Sequence, residues 1–162
     1  MRNYTGHAWT GENYSPRLST KEIAKRVREY CKKFKPWKFS VTSDPTQITV
    51  RLTAGPREAI KEMGYYNKRT GEFEKHENKN YSQLNHFTFM RNGYHTETNV
   101  PDGYNNGAIL TEEVWEMFCD ILNYLNSYHF DDSDPMIDYF DTNFYINMEI
   151  GKWDKPFKVW SR

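Results

Sequence analysis

The chain has 162 residues, of which 37% are hydrophobic and 17% aromatic, and its formal net charge is zero. This length is enough for one domain with a hydrophobic core and short for two. No run of 18 apolar residues occurs, which excludes a transmembrane helix. Residues 1–17 lack the apolar centre of a signal peptide. We therefore expect a cytoplasmic protein with no membrane partner.

The neutral total hides two halves of opposite charge. Residues 1–70 contain 15 Lys plus Arg against 6 Asp plus Glu, a net charge of +9. Residues 71–162 contain 7 against 16, a net charge of −9. Such a division predicts either two halves that attract each other or two faces that meet different partners.

Residues 18–56 predict a helix followed by a β-hairpin. Ser19 is a good N-cap, and Glu22 completes a capping box three residues later. Apolar residues then recur at steps of three and four, and Pro36 ends the helix. Alternation of apolar and polar side chains over 37–42 and 48–53 predicts two half-buried strands joined by a turn. The helical apolar positions are Ile23, Ala24, Val27, Tyr30, Cys31 and Phe34.

The remaining segments complete an α+β prediction. We expect an irregular N-terminal arm over 1–17, whose aromatic residues tuck onto the body or, alternatively, form a platform for bases. A second short helix should start at Pro56. The irregular segment at about 65–108 should be either a functional insertion or a hairpin, of which we favour the hairpin, and residues 86–90 hint at a strand within it. A wide apolar face predicts a helix after Thr111, and strands should follow at 144–150 and 156–160. Residues 18–162 then form one domain, an antiparallel sheet of three to five strands with two main helices on one face.

A basic stripe is the sharpest feature of the first helix. Its members fall within an arc of roughly 80°, away from the apolar face: Lys21, Lys25, Arg28, Lys32 and Lys35. Like charges four residues apart destabilise a helix by a few tenths of a kcal/mol per pair. Binding of a nucleic-acid backbone or an acidic protein surface would offset this cost. The plain alternative is a solvated face that the acidic half neutralises in part.

An acidic loop follows the last predicted helix and invites a metal interpretation. Its carboxylates are Asp131, Asp132, Asp134, Asp138 and Asp141. A calcium loop of the EF-hand type needs oxygen ligands at alternate positions and a central glycine. Starting from Asp132, the fifth position is Met136 and no glycine follows, so we predict no metal site. The two remaining interpretations of this loop are a solvated acidic turn and an acidic face that contacts a partner.

Catalytic chemistry has little support in the sequence. The five histidines are scattered, and no nucleophile elbow, P-loop or dinucleotide fingerprint occurs. Cys31 and Cys119 are predicted on apolar helix faces, which favours buried free thiols over a disulfide, and no cysteine pattern indicates zinc. We predict no cofactor and a protein that is not an enzyme. An unrecognised hydrolase that gathers His86 or His95 beside carboxylates is the minor alternative.

The segment STKEIAKRVREYCKKFKPWKFSVTSDPTQITVRLTAGP resembles the large polyvalent-protein-associated domains, specifically the α+β group numbered twenty-nine. The matching motifs are Ser19–Ala24, Phe39–Val41 and Gly55–Pro56, and Asp138–Trp153 is similar to the family's C-terminal strand region. The resemblance implies a setting in phages, conjugative elements and other bacterial mobile DNA. It also implies delivery with DNA or interference with host defences, and it implies no catalytic residues.

Two functions follow from these observations. The first is a non-catalytic binding protein that contacts a host or element protein or nucleoprotein, with an anti-defence role through the acidic face. The second is a nucleic-acid-binding accessory protein that uses the basic stripe. The sequence carries no signal for a particular oligomeric state.

Overall fold

A computed structural model describes residues 3–61, 64–75, 79–84 and 110–160. These residues contain two α-helices, α1 (Thr20–Cys31) and α2 (Glu112–Ser127). The strands are β1 (Trp9–Thr10), β2 (Lys38–Ser43), β3 (Gln47–Gly55), β4 (Gly64–Tyr66), β5 (Phe73–Lys75), β6 (Ser82–Leu84), β7 (Phe130–Asp131), β8 (Tyr145–Ile150) and β9 (Lys158–Val159). The predicted α+β class is confirmed. Neither helix has the length and apolar character that crossing a membrane requires.

The main sheet has five strands in the order β2-β3-β8-β6, and β9 lies beside the end of β3. β2 and β3 form the predicted antiparallel hairpin, and β6 is antiparallel to β8. The sheet is nevertheless mixed rather than wholly antiparallel, because β8 and β9 both run parallel to β3. The chain reaches β8 only after α2, and a long helical connection of this kind allows parallel pairing.

Local chemistry sets the bounds of α1 as predicted. The Ser19 hydroxyl accepts a hydrogen bond from the Glu22 amide at 3.2 Å, which confirms Ser19 as the N-cap. A 3₁₀ turn over Lys32–Phe34 follows the helix, so helical structure ends ahead of Pro36. The buried residues of α1 are Ile23, Ala24, Val27 and Cys31.

One hydrophobic cluster joins both helices to one face of the sheet. Alternate residues of the two central strands are buried on that face: Ile48, Val50 and Leu52 from β3, and Ile146, Met148 and Ile150 from β8. α2 adds Val114, Met117, Phe118, Ile121, Leu122 and Leu125. The opposite face of β3 and β8 carries polar side chains, including an ion pair between Arg51 and Glu149. This arrangement leaves the solvent-facing side of α1 free for the basic stripe.

The prediction of a short helix from Pro56 is wrong over the described residues. Residues 56–61 form bends instead, Ile60 pairs with Leu110 in an isolated bridge, and the Thr111 amide donates to the Ala59 carbonyl at 2.9 Å. An isolated helix this short is marginal, so pairing with the segment before α2 prevails. Within the predicted insertion, β4 and β5 form a hairpin. The predicted strand at 86–90 lies outside the described residues.

Both cysteines are free thiols, as predicted. Cys31 is buried and Cys119 half-buried. Burial raises the pKa of each thiol to about 12, with a smaller contribution from the nearest carboxylate. The thiols therefore remain protonated and act as small apolar side chains.

Candidate functional site

The basic stripe lies along the exposed side of α1, next to the edge strand β2. All five members are exposed. The stripe and β2 enclose a shallow groove in two sections that meet at Arg28. The first section, about 710 Å³, is lined by Lys21, Glu22, Lys25, Arg28, Val41, Thr42, Ser43, Asp44 and Pro45. The second, about 520 Å³, is lined by Arg28, Cys31, Lys32, Lys35, Pro36, Trp37, Lys38, Phe39, Thr53 and Trp160. We call the two sections together the basic groove.

Most of the positive charge in the basic groove is not neutralised. Within the described part of the chain, Lys21, Lys25 and Lys35 make no ion pair. Lys32 pairs with Glu29 at 2.7 Å, and this contact, above all its hydrogen bond, lowers the pKa of Glu29. Arg28 donates from Nη2 to the Val41 carbonyl at 2.6 Å, which attaches the middle of the stripe to the edge strand. The aspartates of the acidic loop form none of these contacts.

An aromatic side chain lies at one end of the basic groove. Trp160 is 39% exposed and donates from its indole nitrogen to the Pro36 carbonyl at 3.3 Å. The Lys38 ammonium lies 4.6 Å from the centre of the Trp160 ring. Sequence reasoning missed both residues, although the alternation of β2 already placed Lys38 on an exposed face. Nothing in the local sequence around Trp160 indicates that β9 brings it beside α1.

Asp132 differs from the rest of the acidic loop because it is buried, with 1% of its surface exposed. Its carboxylate accepts hydrogen bonds from the Tyr4 amide at 2.6 Å, the Thr5 amide at 3.0 Å and the Thr5 hydroxyl. Burial raises the pKa of Asp132, but these bonds favour the charged form more strongly, and the pKa lies below its ordinary value. Asp132 therefore anchors the N-terminal arm and is not part of a contact face.

The other predicted acidic residues occupy mixed positions in the loop. Asp131 accepts from the Ser133 amide at 3.0 Å, and Asp134 accepts from the Met136 amide at 3.0 Å. Asp141 is half-buried, and its amide donates to the Ser133 hydroxyl at 2.9 Å. Asp138 is exposed and adopts a left-handed backbone conformation at φ 53°. Two of these four carboxylates, those of Asp131 and Asp134, therefore stabilise turns within the loop.

The hydrolase alternative depends on two histidines that the structure does not describe. His86 and His95 lie outside the described residues. His129 is largely buried, which lowers its pKa, and its Nε2 lies 2.9 Å from the Phe144 carbonyl. Within the described ranges, no group of three His, Cys, Asp or Glu side chains is placed to hold a metal ion.

Comparison with known proteins gives one match. A family model described as large polyvalent protein associated domain 29 matches residues 18–113. The matched span contains α1, the β2–β3 hairpin and the whole basic stripe, whereas Asp138–Trp153 lies outside it. Searches of curated proteins and of solved structures found no match.

Proposed function

The chain belongs to the large polyvalent protein associated domain 29 family, and we propose that it is a non-catalytic accessory protein of a bacterial mobile element that binds single-stranded nucleic acid in the basic groove. The observation that carries the proposal is the run of lysines without ion pairs beside β2. Membership of this family favours a setting in phages and conjugative elements.

The composition of the basic groove favours a single strand over a duplex. Proteins that bind single strands combine a positively charged groove with aromatic side chains on which unpaired bases stack. Here Lys21, Lys25 and Lys35 supply charge, Thr42 and Ser43 supply hydroxyl groups, and Trp160 supplies an exposed ring at one end. A base inside a duplex offers no free face to such a ring.

An anti-defence role through the acidic face receives less support. Asp132 is buried, and Asp131 and Asp134 each accept a bond from an amide of their own turn, so the described part of the loop does not present the continuous row of free carboxylates that a mimic of nucleic acid needs. Neutralising Asp134 and Asp138 tests this role directly, because undiminished inhibition of a defence nuclease by the variant excludes the acidic face.

The role of the basic groove is tested by neutralising three lysines that make no ion pair within the described residues. In Lys21→Gln/Lys25→Gln/Lys35→Gln, we expect affinity for a fluorescent single-stranded oligonucleotide to fall about tenfold or more at low salt. The slope of log affinity against log salt should shrink by about two, since each phosphate contact on a single strand contributes about 0.7. Fluorescence anisotropy measures both quantities.

A matched control removes the same charge elsewhere. Lys68→Gln/Lys152→Gln/Lys155→Gln changes three exposed lysines outside the basic groove and should bind like the wild type. Trp160→Leu should lower affinity with the salt slope unchanged, because stacking releases no counterions. Equal losses in the two triple variants, or no binding of DNA or RNA by the wild type at low salt, would exclude the proposed function.

A further inference from the structure

The acidic loop carries an exposed apolar tip, formed by Met136, Ile137 and Phe140. These side chains are 91%, 61% and 57% exposed. Trp9 and Tyr145 are about half exposed and line the same cavity as Phe140. A soluble protein rarely presents such a group of large apolar side chains together unless they contact a partner.

The backbone holds the apolar tip in one conformation. Asp134 and Tyr139 exchange backbone hydrogen bonds of 2.7 Å and 3.0 Å across the base of the tip. The Asp134 carboxylate accepts from the Met136 amide, and Asp138 closes the turn with its amide donating to the Pro135 carbonyl at 3.3 Å. A surface fixed in this way loses little conformational entropy when a partner binds.

An apolar cavity of about 450 Å³ lies beside the tip. Five of its eleven lining residues are polar: Asn126, His129, Asp131, Ser133 and Thr142. The other six are apolar or aromatic and supply most of the exposed lining surface: Trp9, Pro135, Phe140, Phe144, Tyr145 and Ile146. The cavity is open to solvent and is roomy enough for a bulky apolar side chain. Pockets with this composition are typical of binding sites for an apolar anchor.

The charge around the cavity selects the chemistry of the partner. Asp131 lines the cavity, and Asp134 and Asp138 flank the tip. Residues 130–148, which contain the acidic loop, have five Asp and no Lys, Arg or Glu. The negative potential of this stretch repels nucleic acid and attracts cations. The α1 helix of a second copy is a poor fit, because its apolar residues are buried in its own core.

We propose that the apolar tip and its cavity form a second docking surface, which binds a protein segment carrying a bulky apolar side chain between Lys or Arg residues. The apolar side chain enters the cavity, and the flanking cations face the aspartates of the loop. This surface is separate from the basic groove and does not depend on the function proposed for it.

The test uses short synthetic peptides with a central Leu-Trp pair flanked by Lys and Arg, and matched peptides flanked by Glu. We expect the full-length protein to bind the cationic peptides and not the acidic ones, with affinity that falls as salt rises. Met136→Ser/Ile137→Ser should weaken peptide binding about tenfold or more and leave oligonucleotide binding unchanged. Trp153→Ser is the control, because Trp153 is 78% exposed and belongs neither to the apolar tip nor to the lining of the cavity.

Thermal melts of both variants should match the wild type, since the substituted side chains are exposed. The proposal is overturned if cationic and acidic peptides bind alike, or if the double variant binds like the Trp153 control. It is also overturned if sedimentation shows self-association that the double variant abolishes, since a second copy is then the occupant. Binding of phosphatidylcholine vesicles that is lost in the double variant would instead assign the tip to a membrane surface.

Discussion

At the scale of single residues, the buried carboxylate of Asp132 holds the first part of the N-terminal arm. The Tyr4 and Thr5 amides and the Thr5 hydroxyl all converge on it. Farther along the arm, the Trp9 indole donates to the Asn126 carbonyl at 2.9 Å independently of this contact. Removing the charge of Asp132 should therefore release only the first part of the arm.

We predict that Asp132→Asn lowers the hydrogen-exchange protection of the Tyr4 and Thr5 amides about tenfold or more, because hydrogen bonds to a charged acceptor are stronger than those to an amide. Exchange measured by NMR tests this. Asp138→Asn makes the same chemical change on an exposed residue of the same loop and should leave both amides protected. Equal protection in the two variants would mean that Asp132 does not hold the arm.

The same contact gives the arm a pH dependence of known sign. The pKa of Asp132 in the folded protein lies below its ordinary value of about 3.9. Its stabilising contribution is therefore complete above about pH 4 and is lost as pH falls through the lowered folded pKa. In wild-type protein, Tyr4 and Thr5 should lose protection in that acidic range, whereas the Asp132→Asn variant should show no such step.

At the scale of elements, the junction of β2, β3, β9 and α2 depends on one glycine. The Trp37 ring lies directly over Gly55, where an added Cβ would fall 2.1 Å from Trp37 Cε3. The Trp37 indole donates to Glu113 Oε1 at 3.2 Å, and Arg57 pairs with the same carboxylate at 2.6 Å. These contacts hold the Trp37 ring in place, so moving it away from an added Cβ at Gly55 would break its hydrogen bond to Glu113.

We predict that Gly55→Ala lowers the free energy of unfolding by about 1–3 kcal/mol, the usual range for overpacking a core. Urea denaturation measures this value. In a Trp37→Leu background the same glycine substitution should cost much less, because the clashing ring is absent and the two sites are directly coupled. An equal cost in both backgrounds would place the strain elsewhere than against Trp37.

The elements that the sequence predicts well are those whose signals are local. Ser19, Glu22 and Pro36 bound α1 through short-range hydrogen bonds and backbone sterics, so its limits could be predicted. The contacts that complete the candidate site join distant parts of the chain, such as Trp160 beside Pro36, and periodicity carries no information on them. The burial of Asp132 could not be predicted for the same reason, because its sequence neighbours are acidic and its partner Thr5 is distant along the chain. The parallel pairing of β3 with β8 could not be predicted either, because it depends on a connection between distant parts of the chain.

At the scale of the whole molecule, the two oppositely charged halves contact each other through ion pairs. Among the described residues, three such pairs join a cation of residues 1–70 to an anion of residues 71–162: Lys33–Asp120, Arg51–Glu149 and Arg57–Glu113. None of them uses the basic stripe. The charges that attract the halves to each other are therefore distinct from those that remain exposed in the basic groove.

The family match ends at residue 113, whereas strands β8 and β9 of the main sheet come after that residue. β3 is central because β8 pairs with it along its length, and β6, inside the matched span, pairs with β8 rather than β3. Most of the apolar face of α2 also lies beyond residue 113. Residues 18–113 alone would expose Ile48, Val50 and Leu52, which are fully buried in the complete chain.

We therefore predict that residues 18–113 do not fold by themselves and that the whole of 18–162 is one cooperative unit. Circular dichroism of the excised segment should show no cooperative thermal transition, whereas the complete chain should unfold in a single step. Adding residues 114–162 as a separate peptide should restore the transition, because it returns β8 and most of α2 to an exposed apolar face. A cooperative thermal transition of 18–113 alone would contradict this prediction. It would mean that β2 and β3 bury enough apolar surface without β8, and that the chain contains two folding units.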